Sequence, residues 1–283
     1  MKEHLPFSNH IEVIPGRASP SYVLDGESLV VVDVGFPSDA KAILTHVSTN
    51  LGRCVSQIRL IVLTHSHFDH INGVDYLVER TGAAVAAHTN AQTYLTGKRS
   101  ISRASLHEWK EFLLFLIKHN FPRPSISDAI SIPWAGIPGI AKGIRSKVSH
   151  WLTDGQTLPN HPDWEVIHTP GHTDDSICLY NGRHKTLISG DLLINLDGCL
   201  RLNPLLRQDR QALLDSLEKV KRLDIDNLYP GWGPPVLRED VLDSVCVYDF
   251  PGKRHSDFLI DVKPSNQLLI VIPQRSKLSS GEV

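Results

Sequence analysis

The sequence has little of what marks a specialised chain. It holds four cysteines in 283 residues, Cys54, Cys178, Cys199 and Cys246, and no C-x-x-C pair. That scatter argues against a disulfide framework, and the four read as reduced, mostly buried thiols. No apolar run approaches the ~20 residues that cross a bilayer, so no membrane span is expected. Net charge is −2, from 29 basic and 31 acidic residues, which leaves no strong field for holding a long nucleic acid. Residues 1–10 contain no apolar stretch of the secretory kind, so a cytoplasmic location is expected. The rest is ordinary: 41% apolar and 21% charged residues, and enough length for one large domain or one domain with an insertion. Histidine is the exception, with 15 copies.

Several of those histidines fall together. Residues 58–63 form an apolar run that reads as a buried strand, and Thr64-His65-Ser66-His67-Phe68-Asp69-His70 follows it. In extended chain, alternate side chains point the same way, so His65 and His67 can converge on one point. The turn beyond brings Asp69 and His70 to a second point nearby. Imidazole and carboxylate are ligands that a borderline cation such as zinc prefers. The plainer alternative is a histidine-rich polar loop. Four ligand-type residues directly after a buried strand favour the metal.

This H-x-H-x-D-H pattern resembles the metallo-β-lactamase superfamily. Two further motifs in the right order strengthen the resemblance: Thr169-Pro170-Gly171-His172-Thr173, whose tight Pro-Gly turn presents His172, and Ser189-Gly190-Asp191. The resemblance implies an α/β (α+β) fold, a four-layer αββα sandwich with the metal at the sheet edges. It implies that His65, His67 and His172 hold a first metal, that Asp69 and His70 hold a second, and that Asp191 is shared. Asp33, in Asp33-Val34-Gly35, either caps a loop or supports a metal histidine, and the family's Asp-x-Gly favours support. His88 and His168 read as structural. One position departs from the pattern. Relatives carry P-G-H-G-P where this chain has Pro230-Gly231-Trp232-Gly233-Pro234, and an indole cannot ligate a cation. One tightly bound zinc is therefore expected, with the second site weak or empty; iron and manganese stay open.

Elsewhere, 11–14 reads as a strand, and 21–24 and 28–32 as a hairpin through Asp25-Gly26. Residues 38–51 read as a helix with Ser38 as N-cap and Ala40, Ile43, Leu44, Val47 and Leu51 on one face. A helix at 74–80 and a strand at 83–87 follow. Residues 176–180 and 185–189 form a second hairpin through Asn181-Gly182, its second strand ending at Gly190-Asp191. A helix covers 209–222. Residues 90–150 read as a helical insertion over the active site, including an apolar helix at 105–119. Strands at 258–262 and 267–272 fit no expected ending. The division is then 1–240 as the main domain and 241–283 as an atypical extension.

The resemblance implies a zinc-dependent hydrolase acting on an ester-like bond of a small molecule, a thioester or lactone, through a metal-bound hydroxide, with Asp69 orienting that group or carrying its proton. Three alternatives remain: a phosphodiesterase of the same superfamily, a di-iron oxidoreductase, and a catalytically weak relative that binds a metabolite.

Overall fold

Alternation within the strands decides which surfaces this chain must cover. In Leu29–Val32 every side chain is buried, so both faces of that strand need a partner layer. The computed structural model describes residues 11–99, 128, 143–203, 205 and 208–247. The expected helix at 105–119 and the strands at 258–262 and 267–272 lie outside these residues.

The first sheet runs β1 (Ile11–Ile14), β2 (Ser21–Leu24), β3 (Leu29–Val32), β4 (Ile58–Val62), β5 (Ala84–His88) and β6 (Val148–Leu152), in chain order. β1 to β3 pair antiparallel and β3 to β6 parallel. The second sheet holds β7 (Thr157–Leu158), β8 (His161–His168), β9 (Ile177–Asn181), β10 (Thr186–Leu196), β12 (Asn227–Trp232) and β13 (Val236–Leu237) in that spatial order, with β11 (Cys199–Leu202) also on β10. The helices are α1 (Pro37–Thr49), α2 (Phe68–Ile71), α3 (Val74–Thr81), α4 (Gln92–Leu95) and α5 (Arg210–Val220).

Three apolar clusters give the layers. Val30, Val32, Leu60 and Val62 of the first sheet pack with Val166, Leu179 and Ile188 of the second, so the two sheets face each other. The first sheet's other face, with Leu29, Val31 and Ile61, packs on Ala40, Ile43 and Val47 of α1 and on Val74 and Leu77 of α3. The second sheet's other face packs Cys178, Leu187 and Leu193 on Leu213, Leu217 and Val220 of α5. The result is the αββα sandwich. An 11-residue helix is marginal in water by itself. Burying each α5 anchor adds about 1.5–3 kcal/mol, so that face, not propensity, holds the helix. Among the described residues, no helix is long and apolar enough to cross a membrane.

Two elements differ from the sequence expectation. α1 starts at Pro37 with Phe36 as N-cap, not at Ser38, and Asp39 accepts a hydrogen bond from the Phe36 amide at 3.0 Å. Proline suits the first helical position because its missing N–H would have no partner there. β10 does not end at Gly190-Asp191 but runs to Leu196. Its pairing with β12 slips between Ile188 and Gly190, and Gly190 has φ of +47°. The breaker residues mark a bulge inside the strand rather than its end.

Candidate metal site

The site lies where the loops leaving β4, β8 and the bulge of β10 meet. After β4 the chain bends at Thr64, is extended at His67 and then turns into α2, which carries Asp69 and His70. Gly35 allows a close approach beneath it: a Cβ there would sit 2.6 Å from the Asp69 carbonyl oxygen. Ser19 Oγ donates to the same carbonyl. His172 comes from the turn after β8, where Gly171 has φ of +131° and lies against the Leu213 backbone of α5.

His65, His67, His172 and Asp191, all buried, bring one ligand atom each to within 4.8 Å of the others. His67 Nδ1 lies 3.1 Å from His65 Nε2 and 2.8 Å from His172 Nε2. Asp191 Oδ2 lies 3.2 Å from His172 Nε2 and 4.0 Å from His65 Nε2. Four ligands at zinc distances on a tetrahedron are about 3.3 Å apart, and these separations bracket that value. Beside this group is a second: His70 Nε2 lies 3.2 Å from Asp191 Oδ1 and 3.7 Å from Asp69 Oδ2. The two oxygens of Asp191 thus face two different donor groups.

Neighbouring hydrogen bonds fix which ring nitrogens are bare. Thr64 Oγ1 gives its single proton to Asp33 Oδ2 at 2.6 Å, so at 3.1 Å from His65 Nδ1 it must accept, which leaves His65 Nε2 unprotonated in the neutral ring. His70 Nδ1 donates to Asp33 Oδ2 at 2.8 Å. Asp33 also takes the Thr64 amide at 2.8 Å, so it both caps the loop and orients two imidazoles. A second tie crosses the site: Ser66 Oγ, between the first two histidines, donates to buried Asp175 Oδ2 at 2.5 Å. Asn203, just past β11, donates through Nδ2 to Asp191 Oδ2 at 3.0 Å and accepts the Leu205 amide on its own oxygen.

The electrostatics follow from burial. Burial pushes His65 and His172 well below the usual histidine range and His67 down to about 3, with the nearby His70 adding to each. Burial opposes charge on His70 too, but Asp191, Asp33 and Asp69 outweigh it and hold that ring well above its usual pKa. Burial raises Asp69, His70 pulls it back, and Asp191 raises it again. Burial also raises Asp175 to about 6. Neutral imidazoles beside carboxylates in a dry site are a donor set ready for a divalent cation. His70 Nε2 and Asp191 Oδ1 are buried 3.2 Å apart outside good hydrogen-bond geometry, and a cation that displaced the ring proton would satisfy both.

Of the residues singled out from sequence, the structure gathers His65, His67, His172 and Asp191 into one group and places Asp69 and His70 beside it. Trp232 is buried at the end of β12, next to Gly231, where a Cβ would lie 2.1 Å from Asp191 Oδ1. His88 and His168 stack on each other, centroids 4.0 Å apart, outside the group. Sequence reasoning missed Thr64, Asp175 and Asn203. Thr64 carried a signal, being polar and at the head of the first ligand motif, and Asp175 a weaker one, two residues past the second. Asn203 carried none.

Comparison with known proteins agrees with this geometry. A family profile described as the metallo-beta-lactamase superfamily matches residues 14–232. The "Probable metallo-hydrolase YflN" of Bacillus subtilis (strain 168) is 28% identical over 221 residues, covering 74% of this chain and 76% of its own length. A "Hydroxyacylglutathione hydrolase" of Bdellovibrio bacteriovorus is 36% identical over 74 residues, 26% of this chain and 28% of its own. The fold is similar to that of the BLEG-1 B3 metallo-beta-lactamase, with a TM-score of 0.57 and 24% identity, covering 81% of this chain and 94% of the other. On the profile match and the layered sandwich together, this chain belongs to the metallo-beta-lactamase superfamily.

Proposed function

We propose that the protein is a zinc-dependent hydrolase of an ester-like bond in a small molecule, a thioester or lactone. The observation that carries the metal assignment is the convergence of His65, His67, His172 and Asp191 within 4.8 Å, three nitrogens and one carboxylate oxygen, a donor set that suits zinc. Asp69, His70 and the second oxygen of Asp191 form a weaker group, with Trp232 where relatives carry a further histidine. The reading is therefore one tightly held cation per chain.

When bound, a divalent cation supplies Lewis acidity and lowers the pKa of a coordinated water toward about 7. The chain's own residues do the rest. Thr64 and Asp33 keep the ligating face of His65 unprotonated. Asp69, whose carboxyl is raised by burial, would take a proton at Oδ2 and pass it on. The thioester preference draws support from the relative named for acylglutathione hydrolysis, since an acylated glutathione is a thioester.

We read the stretch inside 90–150 as an insertion close to the site, although its two ends belong to the main domain, with Leu95 of α4 in the first core and β6 paired with β5. Buried Asp128 accepts from the Ser38 amide at 3.3 Å and lies 3.7 Å from Arg17, while Tyr94 donates to Asp174, two residues past His172. The main domain extends past 240, because Val241, Leu242 and Val245 are buried in the second sheet's outer core.

The test is metal analysis of the purified protein with a panel of thioester, lactone, phosphodiester and β-lactam substrates. One equivalent of zinc with turnover of a thioester or lactone is expected. His67→Ala should lose that zinc and all turnover. Zinc retained by the variant at unchanged affinity would remove His67 from the ligand set, and turnover of the phosphodiester alone would overturn the substrate class.

A further inference from the structure

Two of the four scattered cysteines meet in the fold. Cys199 opens β11 and Cys246 lies 47 positions later, and their sulfurs are 3.4 Å apart. The contact rests on backbone that fixes it. The Cys246 amide donates to the Leu200 carbonyl at 2.9 Å, and the Leu202 amide donates to the Cys246 carbonyl at 3.1 Å. The segment at Cys246 is thus laid along β11 as a short parallel bridge opposite Arg201. Just before it, Val241, Leu242 and Val245 are anchored in the core. Neither end of the pair can drift from the other without breaking these ties.

Accessibility separates this pair from Cys178, and position in the fold separates it from Cys54. Cys199 and Cys246 are partly exposed, so a small reagent can reach them. Cys178 is buried, and burial pushes its thiol up to about 12, which leaves it unreactive. Cys54 is exposed and lies on the first sheet's side of the molecule, where its neighbouring partner is the Ser56 hydroxyl. A disulfide needs sulfurs at about 2.05 Å, so from van der Waals contact the two must close by about 1.4 Å.

We propose that Cys199 and Cys246 form a thiol–disulfide exchange site whose co-substrate is a small-molecule disulfide of the oxidised-glutathione kind. One protein thiolate attacks a sulfur of the reagent; its S–S bond breaks, one thiol leaves, and a mixed disulfide remains. The second protein thiolate then attacks the protein sulfur of that mixed disulfide, and the other half of the reagent leaves as the second thiol. The protein dithiol loses two electrons, the reagent gains them, and the two thiol protons end on the two released thiols. The bond closes a loop that contains Asn203, α5 and the whole of β12, so it staples the half of the second sheet that flanks Asp191. The proposal is independent of the hydrolase reading.

The experiment treats the folded, metal-loaded chain with glutathione disulfide, blocks remaining thiols after denaturation, and maps peptides by mass spectrometry. The expected product is one intramolecular bond joining the Cys199 and Cys246 peptides, with Cys178 still a thiol. Cys199→Ser should instead leave a stable glutathione adduct on Cys246, and Cys246→Ser one on Cys199. Glutathione adducts on both cysteines of the unmodified chain, without the cross-link, would overturn the proposal. So would two intact thiols at 199 and 246 under a redox poise that oxidises a reference dithiol peptide. Both refuting outcomes are read on the unmodified chain, so a variant that misfolds leaves the test intact.

Discussion

At the scale of single residues, the site depends on groups that touch no cation themselves. Asp191 must present one oxygen to each donor group, and a carboxylate left alone rotates. Asn203 holds Oδ2 by its amide while its own oxygen is pinned by the Leu205 amide. Asn203→Asp keeps the oxygen that accepts from Leu205 but swaps the donor facing Asp191 for a carboxylate that repels it. Loss of such an orienting partner typically weakens metal affinity about 10–100-fold. That drop is expected in competition against a chromophoric chelator for Asn203→Asp. Asn203→Ala should show a similar drop with an added loss of thermal stability. Unchanged affinity in both variants would mean that the amide does not orient the carboxylate. The clustering of His65, His67, His172 and Asp191 was legible because they sit in short motifs with fixed spacing. Asn203 was not, because it reaches Asp191 only through the pairing of β10 with β11, which spacing does not encode.

At the scale of elements, β10 and β12 decide what the second donor group can hold. The bulge at Gly190 turns Asp191 into the site, and Gly231 opposite leaves room for its carboxylate. The sequence reads Gly190-Asp191 as a strand end because glycine and aspartate are strand breakers. The apolar stretch Leu192 to Leu196 that follows is the signal of continuation. Strands β6, β7, β11, β12 and β13 escaped the sequence reading because they are short, lack clean alternation or, in β12, contain Pro230-Gly231, so their pairing comes from tertiary context. Trp232 ends β12 directly after Gly231, and on the proposed reading an imidazole there would join Asp69, His70 and Asp191. Trp232→His should therefore add a second equivalent of zinc, read by metal analysis and by titration calorimetry, with turnover rising alongside. If the unmodified protein already binds two zinc ions of similar affinity, position 232 does not govern the second site.

At the scale of the whole molecule, the donor atoms come from both sheets. His65, His67, Asp69 and His70 follow β4 of the first sheet, while His172 and Asp191 belong to the second. The sheets already share an apolar interface and a hydrogen bond from Tyr22 of β2 to the Pro230 carbonyl of β12. Without a cation, however, their edges press buried imidazoles against one another, with a cluster of buried carboxylates beside them. Such a cluster costs stability that the rest of the sandwich must offset. A cation bound only by the folded state reverses that cost and ties the two sheets together. Linkage sets the size: about 2.7 kcal/mol when the metal stands at 100 times its dissociation constant. Stripping the protein with a chelator should thus lower its melting temperature, and adding zinc back should raise it progressively with concentration. His67→Ala should show neither change, because its donor set is broken. If the stripped protein melts at the same temperature as the loaded one, the ligand cluster is not the seam that holds the two sheets at this edge, and the apolar interface alone carries it.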